Sequence, residues 1–401
     1  MGHPRIILAT LNLATGTTTL VRSDGKEAVF DTGFVRPDSS RIARLQYSPG
    51  VSAVLVTTTL GDSVAVPLAD EGDLAPVDDR PVVYLDQNHW STLSKVARGS
   101  ARVKRPEMEA ARRLIYWAEQ RRIILPVSSG HCVETTEWPD AEARYHLGLT
   151  LERLSAGWVM RHPLDIENAE LTHSLGNTLG QRRETPTVFT QEPGAMHDAS
   201  SRSDYEPGSD FPDDHRFALQ AMIEAAVKFD LLTDGDVIER RRLNKWRLAQ
   251  QEFSDRLDQE GGTSHQKRQA VMAFFMADIR HMMATAATHA AISTQEFYDW
   301  LNGDFVKQLI AVPYLGLRHE FLTQKHLNRA TTWQDSDLID MMYLCLGGAY
   351  ADLVVCEASA ASHVRQAQRR LGREQNAVSR LSEAVGWLTQ HSSIERDPPL
   401  R

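Results

Sequence analysis

The chain has 401 residues, 42% hydrophobic and 24% charged, with a formal net charge of -9 and three cysteines. That is ordinary globular composition for two or three domains with a sizeable core, and no apolar run is long enough to span a bilayer. The acidic balance argues against a protein that coats nucleic acid indiscriminately, and Cys132, Cys345 and Cys356, odd in number and without CxxC spacing, argue against a disulfide framework or a cysteine zinc site. Met1-Gly2-His3-Pro4-Arg5 lacks the charged-then-apolar profile of a secretory signal, so a cytoplasmic location is expected.

Residues 1–75 read as a β-rich N-terminal domain. Ile6-Ile7-Leu8 opens it, Thr17 to Val21 is joined through Ser23-Asp24-Gly25 to Ala28-Val29-Phe30, and Val51 to Leu60 leads through Gly61-Asp62 to Ser63–Val66. Asp-Gly and Gly-Asp turns between Val- and Thr-rich runs signal hairpins, and a small barrel or sandwich is expected. Nothing catalytic stands out there; docking of a protein partner or substrate binding is the functional expectation, a scaffold appendage the plain one. The acidic, Pro-containing residues 69–81 read as a linker.

Pro81-Val82-Val83-Tyr84-Leu85-Asp86-Gln87-Asn88-His89-Trp90 is the central stretch: an apolar run, two of its residues β-branched valines, ends in a carboxylate and an amide. A strand buried on both faces looks like this, and α/β sheets bind ligands beyond the carboxyl ends of their strands. The plainer reading is that Asp86 and Asn88 only cap the next helix. A second such strand, Ile123-Ile124-Leu125-Pro126-Val127, runs into Ser128, and Glu134 falls in the first turn of another helix.

Residues 141–332 read as a helical insertion, with a Pro- and Gly-rich flexible loop near 180–214, and they too are a candidate protein contact. Then Trp333-Gln334-Asp335-Ser336-Asp337-Leu338-Ile339-Asp340 introduces a helix on which Asp337 and Asp340 share a face. Ala351-Asp352-Leu353-Val354-Val355-Cys356-Glu357 reads as a third buried strand, again ending in an acid, and Ser362 to Thr389 as one C-terminal helix. Basic clusters occur at Arg102-Lys104-Arg105, at Arg240-Arg241-Arg242 with Lys245 and Arg247, and at Arg365, Arg369, Arg370 and Arg373. Such clusters are more often solvated helix faces than binding grooves.

Three strands thus deliver Asp86, Glu134 and Glu357, and the Asp337/Asp340 pair opens the helix before the last of them. Carboxylates crowded together repel, and hard divalent cations with oxygen ligands are the common remedy. Hydrolysis of a phosphodiester at Mg²⁺ or Mn²⁺ is the chemistry this arrangement suggests.

The order strand–Asp-x-Asn, strand–Ser-x5-Glu, Asp-x-x-Asp opening a helix, then Ala-Asp-Leu-Val-Val-Cys-Glu resembles the PIN-domain nucleases over 81–140 and 333–360. The resemblance implies an α/β fold, a PIN-like α/β/α domain with a parallel sheet formed by 81–140 and 333–395. It implies a Mg²⁺- or Mn²⁺-dependent endoribonuclease acting on single-stranded or structured RNA, in a family that includes toxins. By position it carries metal binding to Asp86, Glu134, Asp337, Asp340 and Glu357, catalysis to the first four, and pocket roles to Asn88 and Ser128. His89 and Trp90 are candidates to grip the RNA. The chain departs from the family pattern in having Glu at 357, Cys356 before it, no evident fifth strand, and a very long middle segment. Two rival expectations remain: a PIN-like interaction scaffold that no longer holds metal, and a haloacid-dehalogenase-like phosphatase, against which the missing Asp-x-Asp-x-Thr counts.

Overall fold

A computed structural model describes residues 4–31, 40–68, 77, 79–100, 102–178, 187–198, 213–233, 243–303, 305–330 and 332–392. The N-terminal strands are β1 (Ile6–Asn12), β2 (Thr17–Arg22), β3 (Glu27–Asp31), β4 (Ile42–Ser48), β5 (Ala53–Thr58) and β6 (Ser63–Pro67). They form one antiparallel sheet in the order β3-β2-β1-β4-β5-β6. Gly25 and Gly61 take φ of 78° and 91° in the two expected hairpin turns, a conformation that side chains disfavour. The expectation of a barrel or sandwich is corrected: β3 and β6 end an open sheet. The helix Asp213–Thr233 covers it, with Ala221, Met222, Ala225 and Phe229 packed on Ile42, Leu45, Val54 and Val56. One apolar face closed by a helix needs no second sheet.

β7 (Val83–Leu85) lies at the centre of the second sheet, and all its residues are buried. Its pleat sends Val82 and Tyr84 into one core and Val83 and Leu85 into the other. This two-sided burial is why the run is apolar without alternation. Isolated parallel bridges join Val82 to Ile124 and Val127 to Val159. β8 (Val159–Met160) then pairs antiparallel with β9 (Phe189–Thr190). On the other side β10 (Leu353–Val355) runs parallel to β7 and β11 (Ala377–Val378) parallel to β10. Leu353 and Val355 face one core and Val354 and Cys356 the other.

Three expectations change here. The C-terminal stretch is two helices, Ala358–Arg370 and Leu381–His391, separated by Gly372 at φ 66° and by β11, the strand that sequence did not reveal. The segment 141–332 is no detached insertion: Val159 extends the parallel sheet, and Phe275, Leu317 and Phe321 share a core with Tyr84 and Val354. Of the loop expected near 180–214, residues 179–186 and 199–212 lie outside the described residues, while 187–198 carry β9 and bury Ala195 and Met196. Most of the linker, 69–76 and 78, and Arg240, Arg241 and Arg242 also lie outside the described residues. No helix of the described residues is long and apolar enough to cross a membrane.

Candidate functional site

Asp86 leaves β7 and caps the helix Gln87–Ala97, accepting a hydrogen bond from the His89 backbone N–H at 3.2 Å. The plain capping reading therefore holds for Asp86 and not for Asn88, which lies within the helix, and it does not exhaust the Asp86 carboxylate. Asp86 Oδ1 is also 2.7 Å from His89 Nδ1, and Oδ2 accepts from the Glu357 backbone N–H at 3.0 Å. Asn88 Nδ2 donates to Glu357 Oε1 at 2.6 Å. The ends of β7 and β10 are thus tied together by the residues that would carry the chemistry.

Glu134 arrives from the helix Ser129–Thr136, which packs tightly on the helix Asp337–Tyr350. A Cβ at Gly130 would lie 2.7 Å from the Tyr343 ring, so only glycine permits this approach. Ser129 Oγ and Tyr343 Oη, 2.5 Å apart, fasten it. His131 holds the same helix to the sheet: burial pushes its pKa down to about 4, so it is neutral, and Nε2–H donates to the Leu85 carbonyl at 2.8 Å while Nδ1 accepts from the Ser128 N–H.

Asp86, Asn88, Glu134, Asp337, Asp340 and Glu357 all line one cleft of about 520 Å³. Residues far apart in sequence converge as the acid pattern predicts. Asp337 accepts from the Gln334 N–H at 2.5 Å and pairs with Lys325. Lys325 Nζ sits 4.7 Å over the ring of buried Trp333, a cation–π contact that holds it at the rim. Burial, then the charges of Asp337 and Asp86, push the Asp340 carboxyl up to about 6, against smaller opposing effects of Ser336 and Lys325. Negative charge in the cleft is therefore incompletely compensated. Among the described residues no three His, Cys, Asp or Glu side chains stand close enough to form a ready-made metal site.

Three expected roles are corrected. Trp90 is 0% exposed and fills the core beside Leu93 and Leu114, so it has no face on which a base could stack. Ser128 is likewise 0% exposed and is spent on capping its helix and contacting Tyr84 at 3.1 Å. His89 does not line the cleft; it is held between Asp86 and the Ser379 carbonyl and fixes the carboxylate instead. Burial opposes a proton on His89, but its contacts with Asp86 outweigh this and raise its pKa. Lys325, Ser336, Ser359 and His363 line the cleft without having been singled out in the sequence. They lie outside any strand-end motif, and only the Ser336 capping position was a usable signal.

A carboxyl whose folded pKa lies above its unfolded value favours the fold only while protonated. For Asp340 that support is complete below 3.8 and is lost as pH rises through about 6. Asp340→Asn is accordingly expected to stabilise the protein by about 2 kcal/mol at pH 8 and by almost nothing at pH 4, measured by urea unfolding at both. An acid that costs stability at neutral pH is a common mark of a functional site.

Comparison of the chain with protein-family models, with curated proteins and with solved structures gives no match.

Proposed function

We propose that this protein is a divalent-metal-dependent nuclease of PIN-like architecture that hydrolyses RNA phosphodiester bonds in the acidic cleft. The observation that carries the reading is the convergence of Asp86, Glu134, Asp337, Asp340 and Glu357 on that cleft beyond the carboxyl ends of β7 and β10. The parallel arrangement of β11, β10, β7 and the 124 and 159 segments supports it, since ligands bind at this edge in open α/β sheets.

The donor chemistry fits Mg²⁺ or Mn²⁺: every candidate ligand is a carboxylate oxygen, and Asp340, whose pKa is raised first by burial and then by Asp337 and Asp86, sits among like charges that a hard cation would offset. Asp86, Glu134 and Asp340 would hold the ion, with Asp337 and Glu357 contributing. When bound, such an ion stabilises charge developing at a phosphoryl group and makes water a stronger nucleophile. The chain's own groups do the positioning. His89 and the Glu357 N–H fix both oxygens of Asp86, Asn88 orients Glu357, and the Lys325 ammonium at the rim is a donor for a phosphate oxygen.

A second reading, a metal-free interaction scaffold, is favoured by two observations: Lys325 already pairs with Asp337, and among the described residues the acids form no preassembled ligand trio. The full chain should cut labelled single-stranded RNA with Mn²⁺ and not with EDTA. No cleavage with either metal, together with no heat on titrating Mn²⁺ into the protein, would give the scaffold reading precedence.

A further inference from the structure

A second cavity, of about 590 Å³, is lined by the same two helices that wall the acidic cleft. Phe321 and Lys325 of Pro313–Leu327 face the cleft while Gln324 and Asn328 line the cavity; on Ala358–Arg370, Ala360 and His363 face the cleft while Gln366, Arg369 and Arg370 line the cavity. Arg268 of the helix Ser264–His289 completes it. We propose that this cavity holds the phosphodiester backbone of a nucleic-acid single strand whose cleaved bond lies in the acidic cleft, an inference that rests on the nuclease reading.

Among the described residues three arginines and no acid line the cavity, on a chain whose net charge is -9. Glu320, beneath it, pairs with Arg268 and with Arg370 at 3.2 Å, which leaves two positive charges uncompensated and sets the guanidinium groups in place. Arg369 is exposed and, among the described residues, hydrogen-bonds a neutral side-chain amide, that of Gln375, at 3.2 Å. An acidic cleft repels a polyanion, so a strand entering it needs its flanking phosphates gripped close by. From His363 to Arg370 the helix advances about 10 Å, the length of about three stacked nucleotides. The remaining arginines of this basic cluster have structural duties: Arg365 donates to the Ala377 carbonyl, and Arg373 donates to the carbonyls of Ile310 and Val312. The cluster is thus divided between a half that donates to carbonyls of β11 and of residues 310–312 and a half that lines the groove.

The test is binding of labelled single-stranded RNA and DNA to the full chain in EDTA, over a range of salt, for wild type, Arg369→Gln and Arg369→Glu. Loss of one phosphate contact in Arg369→Gln should lower the slope of log K against log salt by about 0.7 and the affinity by about fivefold at about 0.1 M salt, with Arg369→Glu losing more. The two strand types, run as separate arms, show whether RNA is preferred. Asp340→Asn should fail to cut yet bind at least as tightly as wild type, one repelling charge being gone, and Arg369→Gln should lose the same salt slope in that background, which separates the two sites. Binding unchanged in both Arg369 variants would overturn the cavity and leave the nuclease reading standing. Polyglutamate competing as well as RNA of equal length would overturn it too, as would a wild type that binds neither RNA nor DNA. Binding that depends on Arg369 without any cleavage would leave the cavity as a nucleic-acid contact but overturn both the nuclease reading and the placing of a cleaved bond in the acidic cleft.

Discussion

Asp86→Asn is expected to lower Mn²⁺-dependent RNA cleavage by two to three orders of magnitude while leaving the protein folded. Asparagine is as good a helix N-cap as aspartate, so the hydrogen bond to the His89 N–H survives; its amide nitrogen can no longer accept from the Glu357 N–H, and the structural loss should be about 1 kcal/mol. What disappears is the negative charge at the one point where β7, its following helix and the Glu357 N–H meet. On the proposed reading that charge would help hold the cation that stabilises the reacting phosphate, and its loss would cost several kcal/mol of transition-state stabilisation, hence the size of the effect. A rate within about threefold of wild type, with unchanged urea unfolding, would remove Asp86 from the chemistry.

The second large effect concerns the fold beneath the cleft. Arg318 is buried in the helix Pro313–Leu327 and pairs with Glu167 at 2.6 Å and Asp278 at 3.0 Å, and its guanidinium lies 5.3 Å from the Phe275 ring centre. Burial opposes charge on Arg318, but Glu167, Tyr314 and Asp278 outweigh it and keep the guanidinium charged. Glu167 is 0% exposed, and burial pushes its carboxyl up to about 7 even with Arg318 beside it. Arg318→Met should therefore destabilise the protein by about 3 to 5 kcal/mol at pH 8, because it strands Glu167 without a partner. The deficit should shrink toward pH 5: Glu167 then carries its proton, and a carboxyl with a raised folded pKa loses its support for the fold only as pH climbs through that pKa. The double variant Arg318→Met/Glu167→Leu should recover most of the loss in urea midpoints, since an apolar pair of similar volume replaces the ions. A deficit independent of pH would point to packing around Phe275 instead.

How much of this was readable beforehand depends on whether the signal was local. β7 and β10 were plain, since strands buried on both faces must be apolar throughout, and the acids at their ends were plain with them. The hairpins at Gly25 and Gly61 were equally legible, because a turn needing positive φ selects glycine. β11 was hidden: two paired residues make no periodicity, although Leu371-Gly372 carries the glycine that ends a helix and was the available clue. β4 was missed because Arg44 and Gln46 break its apolar run, and its partners lie on either side of it in the sheet. In the site, Trp90 was misread because an aromatic next to a strand end looks alike whether it faces solvent or core. Lys325 could not be found at all, since its role comes from Trp333 and Asp337 meeting it in space.

The central claim is that the converging carboxylates form a divalent-cation site, and Mn²⁺-soaked crystals test it most directly through anomalous scattering. The account predicts at least one strong peak inside the cleft at about 2.0 to 2.2 Å from oxygens of Asp86 and of Glu134 or Asp340. A cleft without a peak at saturating Mn²⁺, with Lys325 still paired to Asp337, would contradict it.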